Sequence, residues 1–337
     1  MEHLIDSAMH GRNTLKPACR KYLNSWMRPV LYTIFAAALI TSAAGCSDDD
    51  GYQKIDFSRV QESGGAAAEV EPGERLNVAV AAMVSPKETF SRYRELLDFI
   101  GKRVDRRIRL VQRKTYREVN ELFLDGKLDI AFICSGPYGT GKTDFGFESL
   151  VTPIVRGEPF YQAYLIVSKD SPIASFEQLK GRSFAFTDPD SNTGALVPFY
   201  WLSRIQETPD TFFQSYTYTY SHDNSIMAVA KSLVDAASVD GHIWEYYNTR
   251  NPVYTSRTRV IDRSIKFGSP PLVVSGRLSS ELKQEIRSAL LLMHTDEEGR
   301  RILDSLMIDR FVDSEESWSE PAQLLHRELP AFREARK

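Results

Sequence analysis

Apolar runs alternate with amphipathic segments along the central part of the chain. The run RLNVAVAAM, residues 75–83, is apolar throughout, which is typical of a strand buried on both faces of a sheet. A capping-box pattern at Ser85 and Glu88 predicts that a helix follows. A second strand, RIRLVQ, precedes another helix start at Thr115, and a third strand ends at Cys134. This order predicts a parallel sheet covered by helices.

The same alternation restarts in the second half of the chain. A strand is predicted from Tyr161 to Ser168, and the strands RSFAFTD and DAASVD are each followed by a helical pattern. The predicted fold class is therefore α/β with two lobes, each a mainly parallel sheet flanked by helices, and with a ligand cleft between the lobes. The expected boundaries are 75–172 for the first part of lobe 1, 173–260 for lobe 2, and 261–337 for a return to lobe 1 with C-terminal helices.

The first 74 residues have a different character. From Met27 to Cys46 the sequence MRPVLYTIFAAALITSAAGC has a basic start, an apolar centre and small residues before the cysteine, which is the layout of a signal peptide. The apolar run is shorter than the ~20 residues of a membrane-spanning helix. We expect translation to start at Met27, with residues 1–26 an upstream extension of the 1–45 signal region. Residues 46–74 are polar and rich in glycine and alanine, which predicts a flexible tether.

The residues around Cys46 resemble the bacterial lipobox. Ala43, Ala44 and Gly45 precede the cysteine, and the resemblance implies that Cys46 becomes the lipidated first residue of the mature protein. A plain secretory signal and an uncleaved anchor are the alternatives. After processing, Cys134 would be the only other cysteine, so no disulfide is expected.

Composition indicates the number of domains and excludes some classes of partner. The 337 residues are 42% hydrophobic and 26% charged, which allows about two domains of ~150 residues. The formal net charge is −3, from 42 basic and 45 acidic residues without a long run of one sign, so no nucleic-acid partner is expected. Histidine, cysteine and acidic residues do not cluster at metal-ligand spacing, and neither a metal nor a cofactor is predicted.

A phosphate-loop pattern occurs between Gly136 and Thr143. The sequence GPYGTGKT satisfies GxxxxGK[ST], in which backbone N–H groups and a lysine surround phosphates. The residues after it do not predict the helix that the motif requires. Export would also separate the chain from ATP and GTP. We therefore predict no nucleotide role for Lys142 and Thr143.

The most specific segment is DPDSNTGALVP, residues 188–198. It follows a predicted strand and places Ser191, Asn192 and Thr193 in a turn, while Gly194 allows close backbone approach as a helix begins. The unpaired N–H groups and dipole of a helix N-terminus favour an anion. The alternative is a simple N-cap.

The segment SHDNS places His222 at another strand-to-helix junction. Adjacent His222 and Asp223 cannot hold each other as the base and orienting group of a catalytic triad, and no GxSxG motif occurs. No catalytic residue is predicted. His222 is either a capping or solvated residue or, in a cleft, a donor to an oxyanion.

Five segments occur in an order that resembles a known family: LDIAFICSGPY, DPDSNTGALVP, SHDNSI, VDAASVD and SPPLVV. Between residues 75 and 314 the chain resembles the phosphonate, phosphite and phosphate binding proteins of ABC transporters, which have the type II periplasmic-binding fold. Asn192 and Thr193 depart from the usual hydroxyl turn, which leaves open a ligand other than a simple phosphonate. By resemblance the ligand-contacting residues, together with the turn glycine Gly194, are Tyr138, Ser191, Asn192, Thr193, His222 and Asp240.

The resemblance implies a function. We expect a monomeric periplasmic protein, attached to a bacterial membrane only through its lipid, that captures a small oxyanion for the membrane permease of an ABC transporter and catalyses no reaction. A ligand-sensing module of the same fold, coupled to a membrane signalling protein, is the second hypothesis. An enzyme is the third.

Overall fold

The computed structural model of the protein describes residues 75–81, 83–136, 138 and 144–329. All described residues lie within one compact unit. The predicted start site, Cys46, the tether, Lys142 and Thr143 lie outside the described residues. None of the helices in the described part combines the length and apolar character needed to cross a membrane.

From residue 75 to residue 132 the elements follow the predicted alternation of strands and helices, whereas residues 147–168 contain three consecutive strands. The strands are β1 (Arg75–Val80), β2 (Arg107–Val111), β3 (Ile130–Phe132), β4 (Phe147–Ile154), β5 (Phe160–Tyr161), β6 (Ala163–Ser168), β7 (Ser183–Phe186), β8 (Ser215–Tyr218), β9 (Ala236–Asp240), β10 (Thr258–Arg263), β11 (Phe267–Gly268), β12 (Leu272–Ser275) and β13 (Arg310–Asp313). The α-helices are α1 (Pro86–Arg103), α2 (Tyr116–Leu124), α3 (Val197–Arg204), α4 (Pro209–Phe212), α5 (His222–Ala230), α6 (Gly241–Arg250), α7 (Ser280–Leu291), α8 (Glu297–Ser305) and α9 (Glu320–Glu328).

Lobe 1 contains a six-stranded sheet in the order β13-β4-β12-β3-β1-β2. Strands β1, β2 and β3 are parallel, whereas β12 is antiparallel to both of its neighbours and β13 is antiparallel to β4, so the sheet is mixed and not mainly parallel as expected. Val78 in β1 faces a core that includes Leu96 of α1, and Ala79 faces a second core that includes Val119 of α2. Apolar residues at successive positions therefore cover both faces, as the uninterrupted pattern of β1 predicted.

Lobe 2 contains a five-stranded sheet in the order β10-β6-β9-β7-β8, in which β7, β8 and β9 are parallel. The expected boundary at residue 172 placed β6 in lobe 1. Strand β6 instead pairs antiparallel with β9 and β10, so lobe 2 begins before it. The C-terminal helix also differs from expectation, because Ala322 and Leu325 of α9 are buried against the core of lobe 2.

The chain crosses between the lobes by extended segments. The first crossover contains β5 and the second contains β11, and these two short strands pair antiparallel with each other. The chain crosses again after β13 to reach α9. Two adjacent extended crossovers form a narrow connection about which the lobes can close.

Both predicted helix starts are confirmed, but only one of the two predicted capping boxes forms. At Thr115 the capping box forms with Glu118. At Ser85 the side chain makes no capping bond, and the backbone N–H of Ser85 donates to Asp223 Oδ1 of lobe 2 at 2.9 Å. Glu88 pairs with Arg92 instead of closing the box. The start of α1 is therefore completed by the opposite lobe.

Candidate functional site

The carboxyl ends of the parallel strands in the two sheets face each other. In lobe 2, β7 leads to the turn at Ser191, β8 leads to His222, and β9 ends at Asp240. In lobe 1, β2 leads to Tyr116 and β3 leads to Ser135. Ligands of open α/β sheets collect at this edge. The topology therefore brings polar residues from both lobes to one place.

The turn after β7 is fully buried. Ser191 Oγ accepts a hydrogen bond from the Gly194 backbone N–H at 3.0 Å, and a π-helical turn, Asn192–Leu196, leads into α3. A Cβ at Gly194 would lie 2.4 Å from the Cβ and the Oγ1 of Thr187, so only glycine fits there. Ser191 therefore serves as the N-cap, and its O–H remains able to donate.

Several side chains at this edge carry polar atoms that are buried and unpaired. Buried polar groups in folded proteins are nearly always hydrogen-bonded, and an unpaired one costs about 1–3 kcal/mol. A cluster of them at the junction of two lobes is a set of donors and acceptors that a polar ligand would complete. Among the described residues, the atoms of this cluster without a hydrogen-bond partner are Tyr116 OH, Asn192 Oδ1, Thr193 Oγ1, Ser221 Oγ and His222 Nε2.

His222 is a neutral hydrogen-bond donor toward this cluster. Its Nδ1 accepts from the Asp240 backbone N–H at 3.1 Å and lies 3.2 Å from Thr187 Oγ1. Burial lowers the pKa of His222 to about 3, so the ring is uncharged at neutral pH. With Nδ1 accepting, the proton of the neutral ring lies on Nε2. The unpaired Nε2 therefore presents an N–H group.

Asp240 caps helix α6 and titrates near neutrality. Its Oδ1 accepts from the backbone N–H groups of His242 at 2.7 Å and Ile243 at 3.2 Å. Burial raises the pKa of the Asp240 carboxyl to about 7, although these two hydrogen bonds act in the opposite direction. A carboxyl of this pKa can share a proton with a bound oxyanion.

Two tyrosines bring lobe 1 and the crossover to the same cluster. Tyr161 OH lies 2.5 Å from Ser135 Oγ and accepts from Asn192 Nδ2 at 3.2 Å. The Tyr116 backbone N–H donates to Asp188 Oδ2 at 3.1 Å, and its hydroxyl is unpaired. Burial raises the pKa of both phenols well above the usual value, so both remain neutral donors.

The lobes are in contact across the cluster. The His222 backbone N–H donates to the Met83 carbonyl at 3.0 Å. A Cβ at Gly136 would lie 2.6 Å from the Asp190 carbonyl, so the loop after β3 approaches lobe 2 too closely for any other residue. These contacts define a closed arrangement in which the cluster is shielded from water.

The structure brings six of the predicted site residues together at this edge and places the seventh elsewhere. The Tyr138 hydroxyl donates to Ser149 Oγ at 2.8 Å, and its ring packs in the lobe 1 core. The residues at the common edge are Ser191, Asn192, Thr193, Gly194, His222 and Asp240.

Sequence reasoning missed Tyr116 and Tyr161. Tyr116 directly follows the predicted cap at Thr115, where a parallel strand leads into a helix. Ser191 was selected because it lies at such a strand-to-helix junction, and the same rule could have selected Tyr116. Tyr161 lies in the first crossover, and its role depends on contacts with Ser135 and Asn192 that no local pattern encodes.

The described residues do not form a metal or thiolate centre. Among them, no group of three or more histidine, cysteine, aspartate or glutamate side chains could hold a metal ion. Cys134 is buried beside the cluster, and burial raises the pKa of its thiol to about 11. The thiol therefore stays protonated and is a poor nucleophile at neutral pH.

The family is decided by comparison with known proteins. The family model for "ABC transporter, phosphonate, periplasmic substrate-binding protein" matches residues 78–319. The chain belongs to this family. The resemblance inferred from the five ordered segments is confirmed.

Curated relatives from two bacteria agree with this assignment. The chain is 29% identical over 159 residues to the phosphonates-binding periplasmic protein of Escherichia coli, covering 46% of this chain and 47% of the relative. It is 23% identical over 185 residues to a probable ABC transporter phosphite binding protein of Prochlorococcus marinus, covering 51% of this chain and 62% of the relative. The matched segments thus span about half to three fifths of these relatives.

Solved structures confirm the two-lobed type II periplasmic-binding fold. The binding protein component of an ABC phosphonate transporter from Pseudomonas aeruginosa matches with a TM-score of 0.72 at 23% identity, over 78% of this chain and 89% of that chain. The Prochlorococcus marinus protein in complex with methylphosphonate matches with a TM-score of 0.68 at 20% identity, over 76% and 98%.

Proposed function

We propose that this chain captures a small tetrahedral oxyanion of the phosphonate, phosphite or phosphate class for an ABC transporter. The observation that carries the proposal is the group of five buried, unpaired polar atoms between the lobes. Tyr116, Thr193, Ser221 and His222 supply neutral O–H or N–H donors. Their placement at the same edge suits an anion that accepts several hydrogen bonds.

The proposed site uses neutral donors and helix N-termini. The turn at Ser191, the start of α5 at His222 and the start of α6 at Asp240 each direct backbone dipoles toward the same edge. Hydrogen bonds to a charged group contribute roughly 1.5–3 kcal/mol each. Their fixed directions favour a tetrahedral anion.

Lobe closure would couple ligand binding to recognition of the protein by the permease. A ligand that contacts Tyr116 on lobe 1 and Thr193 on lobe 2 has more partners in the closed form than in an open one, and it therefore shifts the population toward closure. A membrane permease would then recognise the closed form. The protein acts as a monomer in this proposal, and the predicted lipid on Cys46 holds it at the membrane.

Calorimetric titration of the purified protein with phosphate, phosphite and methylphosphonate tests the proposal. We expect one of the three to bind with 1:1 stoichiometry. A protein that ignores all three anions but binds a neutral solute would overturn the ligand class.

A nucleotide assay tests the non-catalytic part of the proposal. ATP with Mg²⁺ should neither bind at micromolar concentration nor be hydrolysed, because the proposed site does not use Lys142. Binding of ATP that is lost in Lys142→Ala would instead restore the phosphate-loop interpretation.

A further inference from the structure

A cavity of about 340 Å³ adjoins the oxyanion cluster, and Tyr161 and Asp240 line it. The share of liquid volume per water molecule is about 30 Å³, so the cavity has room for roughly ten water-sized groups. Phosphite and methylphosphonate would occupy the hydrogen-bonding cluster and leave this space unfilled. The cavity is therefore larger than a head group alone requires.

Aromatic side chains form much of the cavity wall. Their flat faces suit a ring or another compact organic group, and binding such a group would remove apolar surface from water. Tyr164 also directs its hydroxyl to Glu245 Oε1 at 3.2 Å, so polar groups are present beside the rings. The aromatic residues of the wall are Tyr93, Phe132, Phe160, Tyr161, Tyr164 and Tyr246.

The charges of the wall are balanced. Three basic residues, Arg92, Arg156 and Lys266, and three acidic residues, Asp240, Glu158 and Glu245, line the cavity among the described residues. Each basic side chain already has an acidic partner: Arg156 lies 3.1 Å from Glu245, Lys266 pairs with Glu158, and Arg92 lies 2.9 Å from Glu88. Burial lowers the pKa of His242 to about 4, so this wall residue is uncharged at neutral pH. The wall offers no spare cation for a second anionic group.

We propose that the natural ligand is a monosubstituted phosphonate or phosphate ester whose neutral, ring-sized substituent fills this cavity. The inference rests on the proposed oxyanion site, which would hold the phosphorus-containing head group. Burying roughly 100 Å² of apolar ligand surface at about 25 cal/mol per Å² corresponds to tighter binding by on the order of tenfold to a hundredfold.

Calorimetric titration of the wild-type protein with four probes tests the ligand class. Benzylphosphonate and glucose 6-phosphate differ in the linkage between phosphorus and substituent, and at least one should bind about tenfold or more tighter than methylphosphonate. The one that binds tighter identifies the preferred combination of linkage and substituent. 4-Carboxybenzylphosphonate should bind at least about tenfold more weakly than benzylphosphonate, because its second charge meets no free cation.

A cavity-filling variant tests the location. Val155 is partly exposed and lines the cavity, whereas Val253 is 61% exposed and lies outside it. Val155→Trp should weaken binding of the preferred substituted probe by about tenfold or more and leave methylphosphonate within about twofold. Val253→Trp should change neither affinity.

The outcomes separate this inference from the proposed function. If methylphosphonate or phosphite binds but both substituted probes bind no tighter, the cavity inference is wrong and the oxyanion site stands. The same conclusion follows if Val155→Trp folds and leaves the substituted probe unaffected. If Val155→Trp does not fold, the wild-type probe series decides. If the wild type binds no oxyanion, both proposals are wrong.

Discussion

Replacing Thr193 with valine tests whether the Thr193 hydroxyl contacts the ligand or stabilises the fold. Thr193 is fully buried, and its Oγ1 has no hydrogen-bond partner among the described residues. Valine has nearly the same shape and removes only the hydroxyl. If the hydroxyl serves the ligand, Thr193→Val should weaken oxyanion binding and should not lower the stability of the unliganded protein.

The magnitudes follow from the contacts. A hydrogen bond to a charged group contributes roughly 1.5–3 kcal/mol, so binding should weaken by about tenfold to a hundredfold. In the unliganded protein the variant removes an unpaired buried hydroxyl. The free energy of unfolding should therefore stay unchanged or rise by up to about 1 kcal/mol, which corresponds to an increase of roughly 2–4 °C in Tm for a domain of this size.

Thr152 provides the matched control. It is also buried, but its Oγ1 lies 2.8 Å from Ser314 Oγ. Thr152→Val should lower the free energy of unfolding by about 1 kcal/mol and leave the affinity unchanged. Calorimetric titration and thermal unfolding measure both quantities for both variants. The reasoning is refuted if Thr193→Val binds like the wild type, or if it loses as much stability as Thr152→Val.

Three further predictions address the histidine, the carboxyl group and the membrane anchor. His222→Asn keeps an acceptor near the Nδ1 position and removes the Nε2 donor, so methylphosphonate binding should weaken about tenfold to a hundredfold. His222→Gln keeps a donor near Nε2 but leaves the Asp240 N–H unpaired. In calorimetry and thermal unfolding it should therefore lose more stability and less affinity than His222→Asn. Equal affinities of the two variants would contradict the assignment of Nε2 as a donor. The folded-state pKa of Asp240 is about 7, above the ordinary value of 3.8. The contribution of this group to stability is therefore fully present below pH ~4 and is lost as pH rises through about 7. The free energy of unfolding should fall by on the order of 4 kcal/mol over this range. Methylphosphonate affinity should likewise fall by up to about tenfold per pH unit above pH ~7 because the ionised carboxylate faces the anion. In titrations and unfolding experiments at several pH values, Asp240→Asn should remove the pH dependence of stability and leave only the part of the affinity's pH dependence that comes from the second ionisation of methylphosphonate itself. Cys46→Ser should move the protein from the membrane fraction to the soluble fraction; unchanged membrane association would exclude the lipid anchor.

Local patterns predicted the α/β fold because the first three strands and the first two helices of lobe 1 each carry their own signal, whereas β4 and β13 were not predicted. The apolar run of β1 and the capping box at Thr115 are both confirmed. The lobe boundary was misplaced because β6 reads as an ordinary buried strand, and its antiparallel pairing with β9 depends on contacts across more than 60 residues of chain. Sequence periodicity identifies a strand but does not identify its partner.

The site was only partly predictable for a related reason. Ser191 and His222 each follow a parallel strand and Asp240 ends one, so one topological rule placed them at a common edge. Tyr161 joins them only through contacts that the first crossover makes with Ser135 and Asn192, which no local pattern describes. Tyr138 was assigned by resemblance, and its hydrogen bond to Ser149 places it in a different part of lobe 1.

Native mass spectrometry tests the central claim most directly. The purified protein is incubated with an equimolar mixture of phosphate, phosphite, methylphosphonate and glucose, and the bound mass is read from the intact complex. The account predicts one phosphorus-containing anion per chain, lost in the double variant Thr193→Val, His222→Asn. Bound glucose, or an anion retained equally by the double variant, would contradict the account.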